Sequence, residues 1–275
     1  MDGSNLDVRS DDGAALGGPA PAELFDASCL LGRTAVHQPG APTNADELVD
    51  ALRFFGIGEA LVFHADAAEY SPSVGNDRLI ADIAGRPMLH PCWVLGPHQT
   101  GELSPPNELV PAMIRAGVRA CRLCPYDHRF RFRLWNIGQL LERLAAHRTP
   151  VWVDFGMRGW TDEFVDWEGL VEVCAAFPHL PVILVRTGIG GNRRLFPAME
   201  RCPNLLIETS YYTVHRGIEM VAATFGAERV LFGSGFPTRA PGPAVTALAY
   251  ARLSEADRTR IAGGNLRSLL HGVKP

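Results

Sequence analysis

The segment VLFGSGFP, at Val230–Pro237, joins a short apolar run to a turn of two glycines and a serine. An apolar run of this length that is bounded by glycine is typical of a buried strand. Seven similar runs precede it, and they begin at Leu24, Ala60, Met88, Val118, Pro150, Pro181 and Leu205. Successive runs begin 24 to 36 residues apart, which leaves room for one helix after each strand. The repeat predicts an α/β fold, a single-domain (β/α)8 TIM barrel.

The segments between these runs carry helix signals. Asn44 and Glu47 fit the two polar positions of a capping box, and Gly56 fits the end of the same helix. An open doubly wound sheet is the alternative, but it usually has fewer strands and often a glycine-rich first turn. Residues 1–22 are rich in Gly, Ala, Pro and Asp and lack apolar periodicity, so they are predicted to form a flexible N-terminal tail. The barrel domain is predicted to span residues 23–275.

Charge and composition favour a role with small molecules. The 275 residues include 26 Lys and Arg against 30 Asp and Glu, a net charge of −4, so no overall positive field attracts nucleic acid. No apolar run is long enough to span a membrane, and the first residues lack a basic segment followed by an apolar one. No membrane association is therefore predicted, and the cytoplasm is the expected location. The six cysteines lie in apolar runs without a framework spacing, so buried, reduced thiols are expected.

The most distinctive motifs lie in the second half of the chain. They are FPHLPVILVRTGIGG at residues 177–191, FGAERVLFGSGFP at residues 225–237 and AGGNLRSLL at residues 262–270. Together these segments resemble the amidohydrolase-related family (amidohydrolase family 2), and the likeness extends over about residues 23–270. The resemblance implies a TIM barrel with metal-dependent hydrolase or decarboxylase chemistry at the carboxyl ends of the strands.

The resemblance also implies a set of metal ligands, from which this sequence departs. In the family, two histidines on strand 1, one histidine each on strands 5 and 6, and an aspartate after strand 8 hold a divalent cation. The corresponding positions here hold Ser28, Leu30, Asp154, Arg186 and Gly235. A single carboxylate does not retain a transition metal, and the fixed positive charge of Arg186 repels a cation. The sequence therefore predicts a divergent member with no metal ligands and no cofactor.

Polar residues on the inner face of the strands define the predicted site. The candidates for substrate binding are Arg186, Arg122, Ser28, Asp26, Ser210 and Tyr212. Two guanidinium groups inside an apolar barrel suit a small anion, because arginine binds a carboxylate through paired hydrogen bonds. The catalytic candidates are Asp154 and His64, with His64 at the end of strand 2 as a general base that Asp154 or Asp26 orients. A purely structural ion pair between Asp154 and Arg186 is the other interpretation.

Three functional hypotheses stay open. The first is a small-molecule hydrolase or lactonase with a degenerate, metal-free site for a small carboxylate-bearing substrate. The second is a catalytically inactive barrel that binds an anionic ligand or a protein partner. The third is a metal held by a different set of ligands, for example Asp26, Asp154 and His64. Analogy with the family also leads us to expect a homodimer.

Overall fold

The computed structural model describes residues 24–36, 38–156, 165–187 and 191–275. Eight parallel strands form one sheet in the order of the chain. The strands are β1 Phe25–Leu31, β2 Glu59–His64, β3 Leu89–Leu95, β4 Ala120–Leu123, β5 Val151–Val153, β6 Val182–Leu184, β7 Leu205–Glu208 and β8 Val230–Leu231. This order confirms the predicted (β/α)8 barrel. The predicted tail at residues 1–22 lies outside the described residues.

The barrel closes between its first and last strands. The Ala27 amide donates a hydrogen bond to the Phe232 carbonyl oxygen at 2.8 Å. The register of β1 against β2 shifts between Asp26 and Cys29. A bulge of this kind re-aims the side chains beside it, and it occurs often at barrel rims and next to active sites. Here it lies within the strand that supplies Asp26 and Ser28.

A helix follows each strand. The helices are α1 Ala45–Phe54, α2 Ala65–Glu69, α3 Pro72–Asp82, α4 Pro106–Arg115, α5 Leu134–Ala146, α6 Trp167–Ala176, α7 Asn192–Arg201, α8 Gly217–Phe225, α9 Gly242–Tyr250, α10 Glu255–Thr259 and α11 Asn265–His271. The longest, α5, has 13 residues. Within the described ranges, no helix has the length and apolar character needed to cross a membrane.

The first helix begins where the capping signal predicts. The Asn44 side chain accepts a hydrogen bond from the Glu47 amide at 3.0 Å. The Glu47 carboxylate reaches back past Asn44 and accepts a hydrogen bond from the Thr43 amide at 2.7 Å. The first of these bonds satisfies a backbone donor that the first turn of a helix leaves unpaired, which confirms Asn44 as the N-cap.

Apolar side chains cover both faces of the sheet. Phe25, Leu61 and Trp152 belong to the cluster that fills the barrel interior. A larger cluster packs the outer face of the strands against the helices. All six cysteines are free and buried. Cys121 lies in the outer cluster and Cys124 in the inner one, so the two thiols of the CxxC segment face opposite sides of the sheet, as strand alternation predicts.

Candidate functional site

Three charged side chains meet at the carboxyl ends of β4, β5 and β6. Arg122 donates from Nη1 to Asp154 Oδ2 at 2.6 Å, and Arg186 Nε lies 3.1 Å from the same oxygen. The other carboxylate oxygen, Oδ1, accepts a hydrogen bond from the Gly156 amide at 3.0 Å. We refer to Arg122, Asp154 and Arg186 as the mouth cluster. The contact between Asp154 and Arg186 was anticipated, whereas the shorter contact with Arg122 was not.

Arg122 is enclosed inside the barrel. Its Nη2 donates to Ser28 Oγ at 2.8 Å, and its guanidinium carbon lies 3.9 Å from the centre of the Phe63 ring. Only 2% of its surface is exposed. With one nitrogen on Ser28, one on Asp154 and an aromatic face beside it, this guanidinium serves to position its neighbours. The structure thus brings the predicted residues Arg122, Ser28 and Asp154 together.

Arg186 reaches the mouth cluster through an unusual backbone conformation. Its neighbour Val185 faces the barrel interior, so a continued strand would direct Arg186 to the outer face. Instead Arg186 has a φ of 57°, in the left-handed region. Its amide donates to Glu208 Oε1 at 3.2 Å, which holds the turn. The predicted inward position of Arg186 therefore arises from a turn, and strand alternation does not produce it.

The mouth cluster holds Asp154 in its ionised form. Burial is the largest influence on this carboxyl and raises its pKa, but the charges of Arg186 and Arg122 outweigh it, so the pKa lies below its ordinary value. The Asp154 charge in turn raises the pKa of Arg186, against the opposing effect of burial. A carboxylate with a lowered pKa is a weak base. Asp154 is therefore better suited to holding Arg186 than to accepting a proton at neutral pH.

Glu208 is a buried carboxyl at the end of β7 that was not among the predicted residues. Its Oε1 accepts a hydrogen bond from Ser210 Oγ at 2.6 Å, and its Oε2 accepts one from the Ser210 amide at 2.8 Å. Burial raises its pKa, and the hydrogen bonds from Ser210 oppose the shift. A signal was available, because Glu208 lies two residues before Ser210 and so shares its face of the strand.

Asp26 is a second buried carboxyl, located on β1 where the barrel closes. Its Oδ1 accepts hydrogen bonds from the amides of Ser28 at 2.9 Å and Ser234 at 3.0 Å. Its Oδ2 is buried and has no hydrogen-bond partner among the described residues. Burial raises the pKa of Asp26 from 3.8 to about 6, against the effect of hydrogen bonds from Ser234 and Ser28. Oδ2 is therefore the atom of this group on which a proton would reside.

The substitution Asp26→Asn is expected to remove one part of the pH dependence of stability. Because the folded pKa of about 6 exceeds the ordinary value of 3.8, the stability due to protonated Asp26 is complete below about pH 4. It is lost as the pH rises through about 6. Urea denaturation at several pH values should therefore show the wild type losing stability relative to the variant across this window.

Asp50→Asn, a change at an exposed position of α1, serves as the control for the loss of one carboxyl. The Asp26→Asn difference from the wild type should vary with pH more than the Asp50→Asn difference does. If the two differences followed pH in the same way, burial of Asp26 would not raise its pKa.

His64, the predicted general base, makes its contacts with the helices α2 and α3. Its neighbour Phe63 faces the interior, and alternation therefore turns His64 outward. The Nδ1 atom accepts a hydrogen bond from the Asp66 amide at 3.1 Å and so caps α2. The Nε2 atom lies 3.4 Å from an Asp82 carboxylate oxygen. Burial lowers the pKa of His64, opposed by the charges of Asp66 and Asp82.

The remaining predicted residues, Ser210 and Tyr212, line a neighbouring pocket of about 330 Å³. The pocket lies between the ends of β7 and β8 and the helices α8 and α9, and Ser234 and Arg239 also line it. The Tyr212 hydroxyl donates to Asn192 Oδ1 at 2.8 Å. The Ser234 amide binds Asp26 on the other side, so Asp26 lies directly behind the wall of this pocket.

Tyr211 links the pocket to the mouth cluster. The guanidinium carbon of Arg239 lies 4.9 Å from the centre of the Tyr211 ring, and that of Arg186 lies 5.3 Å from it. Arg239 also donates from Nη1 to the Ser210 carbonyl oxygen at 3.1 Å. Two cationic groups thus flank one aromatic ring, an arrangement stabilised by the attraction of cations to aromatic faces.

The side chains at the mouth do not fit a divalent metal. Both oxygens of Asp154 are engaged, one by two guanidinium groups and the other by a backbone amide. The example set for the third hypothesis, Asp26, Asp154 and His64, is not brought together, because His64 is directed to α2 and α3. In the described ranges, no group of three or more His, Cys, Asp or Glu side chains is arranged to hold a metal ion.

Comparisons with known proteins agree with the fold. Residues 35–271 match the family model described as amidohydrolase. One similar solved structure is an uncharacterised TIM-barrel protein from Bordetella bronchiseptica, with 16% identity and a TM-score of 0.69 over 90% of this chain and 98% of that one. No curated protein sequence matches this chain significantly.

Two decarboxylases are similar in structure as well. The 5-carboxyvanillate decarboxylase of Sphingomonas paucimobilis has 14% identity and a TM-score of 0.70, over 90% of this chain and 98% of that one. A dihydroxybenzoic acid decarboxylase from Polaromonas, solved with manganese and 2-nitroresorcinol, has 15% identity and a TM-score of 0.71, over 90% and 96%. At such identities the likeness shows a shared fold alone.

Proposed function

Because the chain belongs to the amidohydrolase family, as the match over residues 35–271 shows, we propose that it acts on a small carboxylate-bearing molecule at the barrel mouth. The reaction we propose is hydrolysis of an ester or lactone without a bound metal. The decarboxylases of similar structure act on carboxylated aromatics, which supports a carboxylate as the substrate class. Active sites of TIM barrels lie at this end of the strands.

The observation that carries the proposal is the positive charge at the mouth. Arg122, Arg186 and Arg239 lie there, and the low pKa of Asp154 means that one carboxylate is firmly ionised. Burial disfavours the ionised forms of the other two carboxyls, on Asp26 and Glu208. A guanidinium presents a planar fork that matches a carboxylate, so a substrate anion would balance this charge.

The proposed chemistry uses two carboxyl groups with different pKa values, the raised one of Asp26 and the lowered one of Asp154. In the proposed reaction a water molecule attacks the ester carbonyl carbon, the carbon–oxygen bond of the ester breaks, and an acid and an alcohol form. Asp26, with a pKa of about 6, is buried behind the pocket wall, so it takes the proton of the water through the hydroxyl of Ser234, which lines the pocket, and returns it to the departing alkoxide by the same route. Arg186 binds the developing negative charge, and Asp154 acts as a positioning residue for Arg186. His64 has no part in this scheme.

The saturation of Asp154 favours a second candidate function. Its oxygens already accept hydrogen bonds or ion pairs from Arg122, Arg186 and Gly156, so the ends of β5 and β6 are internally satisfied. A barrel of this kind binds an anion without transforming it. This candidate shares the cationic mouth with the first and differs only in the absence of turnover.

The substitution Arg186→Met is expected to weaken binding of 2,6-dihydroxybenzoate or benzoate at least about tenfold, because it removes a charged hydrogen-bond donor. Isothermal titration calorimetry measures this directly. Arg53→Met, at an exposed position of α1, is the matched control and should bind as the wild type does. Equal affinity in the two variants would contradict both candidate functions.

A hydrolysis assay separates the two candidates. The metal-chelated protein is tested on a panel of aryl esters and lactones. Asp26→Asn should lower any turnover by about a hundredfold or more, the usual contribution of a general base. Turnover that returns only when zinc or manganese is added would contradict the metal-free mechanism. Carboxylate binding that depends on Arg186, without turnover of the panel, would select the binding protein.

A further inference from the structure

A second cavity, of about 560 Å³, opens at the opposite end of the barrel. Its walls come from the first residues of β1, β2 and β3, the residue before β4, the last turn of α11, and Val273 and Pro275 after that helix. Its volume falls within the range of about 300–1,000 Å³ that is usual for small-molecule sites. In TIM barrels the amino-terminal ends of the strands ordinarily contribute to stability, so a pocket of this size there requires its own explanation.

The single carboxylate among the strand residues that line this cavity is already neutralised. Glu59 Oε1 accepts hydrogen bonds from Arg267 Nε at 3.0 Å and Nη2 at 2.6 Å. Glu59 Oε2 lies 2.8 Å from His90 Nε2. Arg267 therefore balances the charge of Glu59 through two hydrogen bonds to one carboxylate oxygen, and His90 lies beside the other.

Arg119 supplies a positive charge that forms no ion pair with a carboxylate of the described ranges. It lines the cavity and is half-buried, and within the described part of the chain it makes no hydrogen bond or ion pair. A half-buried guanidinium loses part of its hydration, so an anion beside it is favoured over bulk solvent.

The floor of the cavity is apolar. The exposed fractions of Phe25 and Leu61 are 1% and 2%, and Leu270 contributes an aliphatic wall. The Phe25 ring lies 4.7 Å from the His90 ring, which fixes one side of this floor. An occupant that fits this lining combines an apolar body with one anionic group.

We propose that the cavity at the amino-terminal end of the barrel binds a small organic monoanion. Its anionic group pairs with Arg119, and its apolar body covers Phe25 and Leu61. Because the cavity lies at the end of the strands opposite to the mouth cluster, a ligand here does not compete with one at Arg186. This site is separate from the one in the proposed function, so either proposal can be contradicted without affecting the other.

Fluorescence titration of the full chain with anilinonaphthalene sulfonate tests this proposal, since the probe is an apolar monoanion that brightens on leaving water. Arg119→Met should weaken binding about tenfold, the usual effect of losing one charged partner. Arg115→Met, at an exposed position at the end of α4, is the matched control and should leave binding unchanged. His271→Trp, a change at an exposed position of the cavity rim, should reduce binding by filling the cavity. This variant provides the test if Arg119→Met fails to fold.

Arg186→Met distinguishes the two ends of the barrel. The proposal requires that the probe binding which Arg119→Met weakens persist in this variant. If Arg186→Met loses the probe while Arg119→Met retains it, the probe binds at the mouth and the proposal is overturned. Equal affinity in Arg115→Met and Arg119→Met would overturn it as well.

Discussion

Replacing Arg122 with methionine is expected to lower the free energy of unfolding by about 3 kcal/mol. The change removes the shorter of the two ion pairs of Asp154 and the hydrogen bond to Ser28, and it leaves the Asp154 carboxylate buried beside an apolar side chain. Loss of one partner of a buried pair usually costs about 3–5 kcal/mol. We expect the lower end of this range because Arg186 still contacts Asp154. Urea denaturation monitored by circular dichroism measures the change.

Two further variants sharpen this experiment. Arg53→Met, at an exposed position of α1, should change stability by less than about 0.5 kcal/mol. The double variant Arg122→Met with Asp154→Leu removes the stranded carboxylate, so it should recover part of the lost stability. If Arg122→Met alone cost less than about 1 kcal/mol, solvent would have to reach Asp154 and the mouth cluster would not be enclosed.

Replacing Gly233 with alanine is expected to cost about 2–3 kcal/mol, through a collision with Glu208. A Cβ atom at this position would lie 2.1 Å from Glu208 Oε2, far inside contact distance. The carboxyl group must then move, and both of its hydrogen bonds with Ser210 are strained or broken. Thermal and urea denaturation of the variant measure the loss.

A rescue variant tests that this collision is the cause. Glu208→Ala removes the carboxyl, so adding Gly233→Ala to it should cost much less than the same change in the wild type. The expected coupling energy is about 1–3 kcal/mol in a double-mutant cycle. Gly138→Ala is the control, because its added Cβ meets no atom closer than 3.8 Å and it lies within α5. That change should stabilise the protein by about 0.5–1 kcal/mol. Additive costs at Gly233 and Glu208 would rule out the collision.

The architecture was predictable because each strand can be recognised from its own short stretch of sequence. A run such as Pro150–Gly156 is apolar and ends in glycine, and the spacing to the next run admits one helix. Eight units of this kind leave few arrangements other than a closed barrel, which the structure confirms. Capping chemistry at Asn44 is equally local, and it too could be predicted from the neighbouring residues.

The geometry of the site was less predictable because it depends on events at the strand ends. Alternation describes a continuing strand, but Arg186 turns inward at a positive φ. His64 follows the alternation outward and caps the helix that begins there. Arg122 was assigned to the substrate, yet its partners Ser28 and Asp154 come from two other strands, and no local pattern encodes that contact. Glu208 follows the strand alternation. It was missed because a charged side chain is not expected among buried apolar residues.

The contacts at the mouth also bear on how the chain reaches its native state. The bond between Ser28 and Arg122 spans 94 residues, and the bond between Asp26 and Ser234 spans 208. Contacts so distant along the chain form only after long loops have closed. A chain with only its first strands in place would enclose Asp26 and Arg122 without their partners, at a considerable free-energy penalty. Partial barrels are therefore disfavoured, and the mouth contributes to making folding all-or-none.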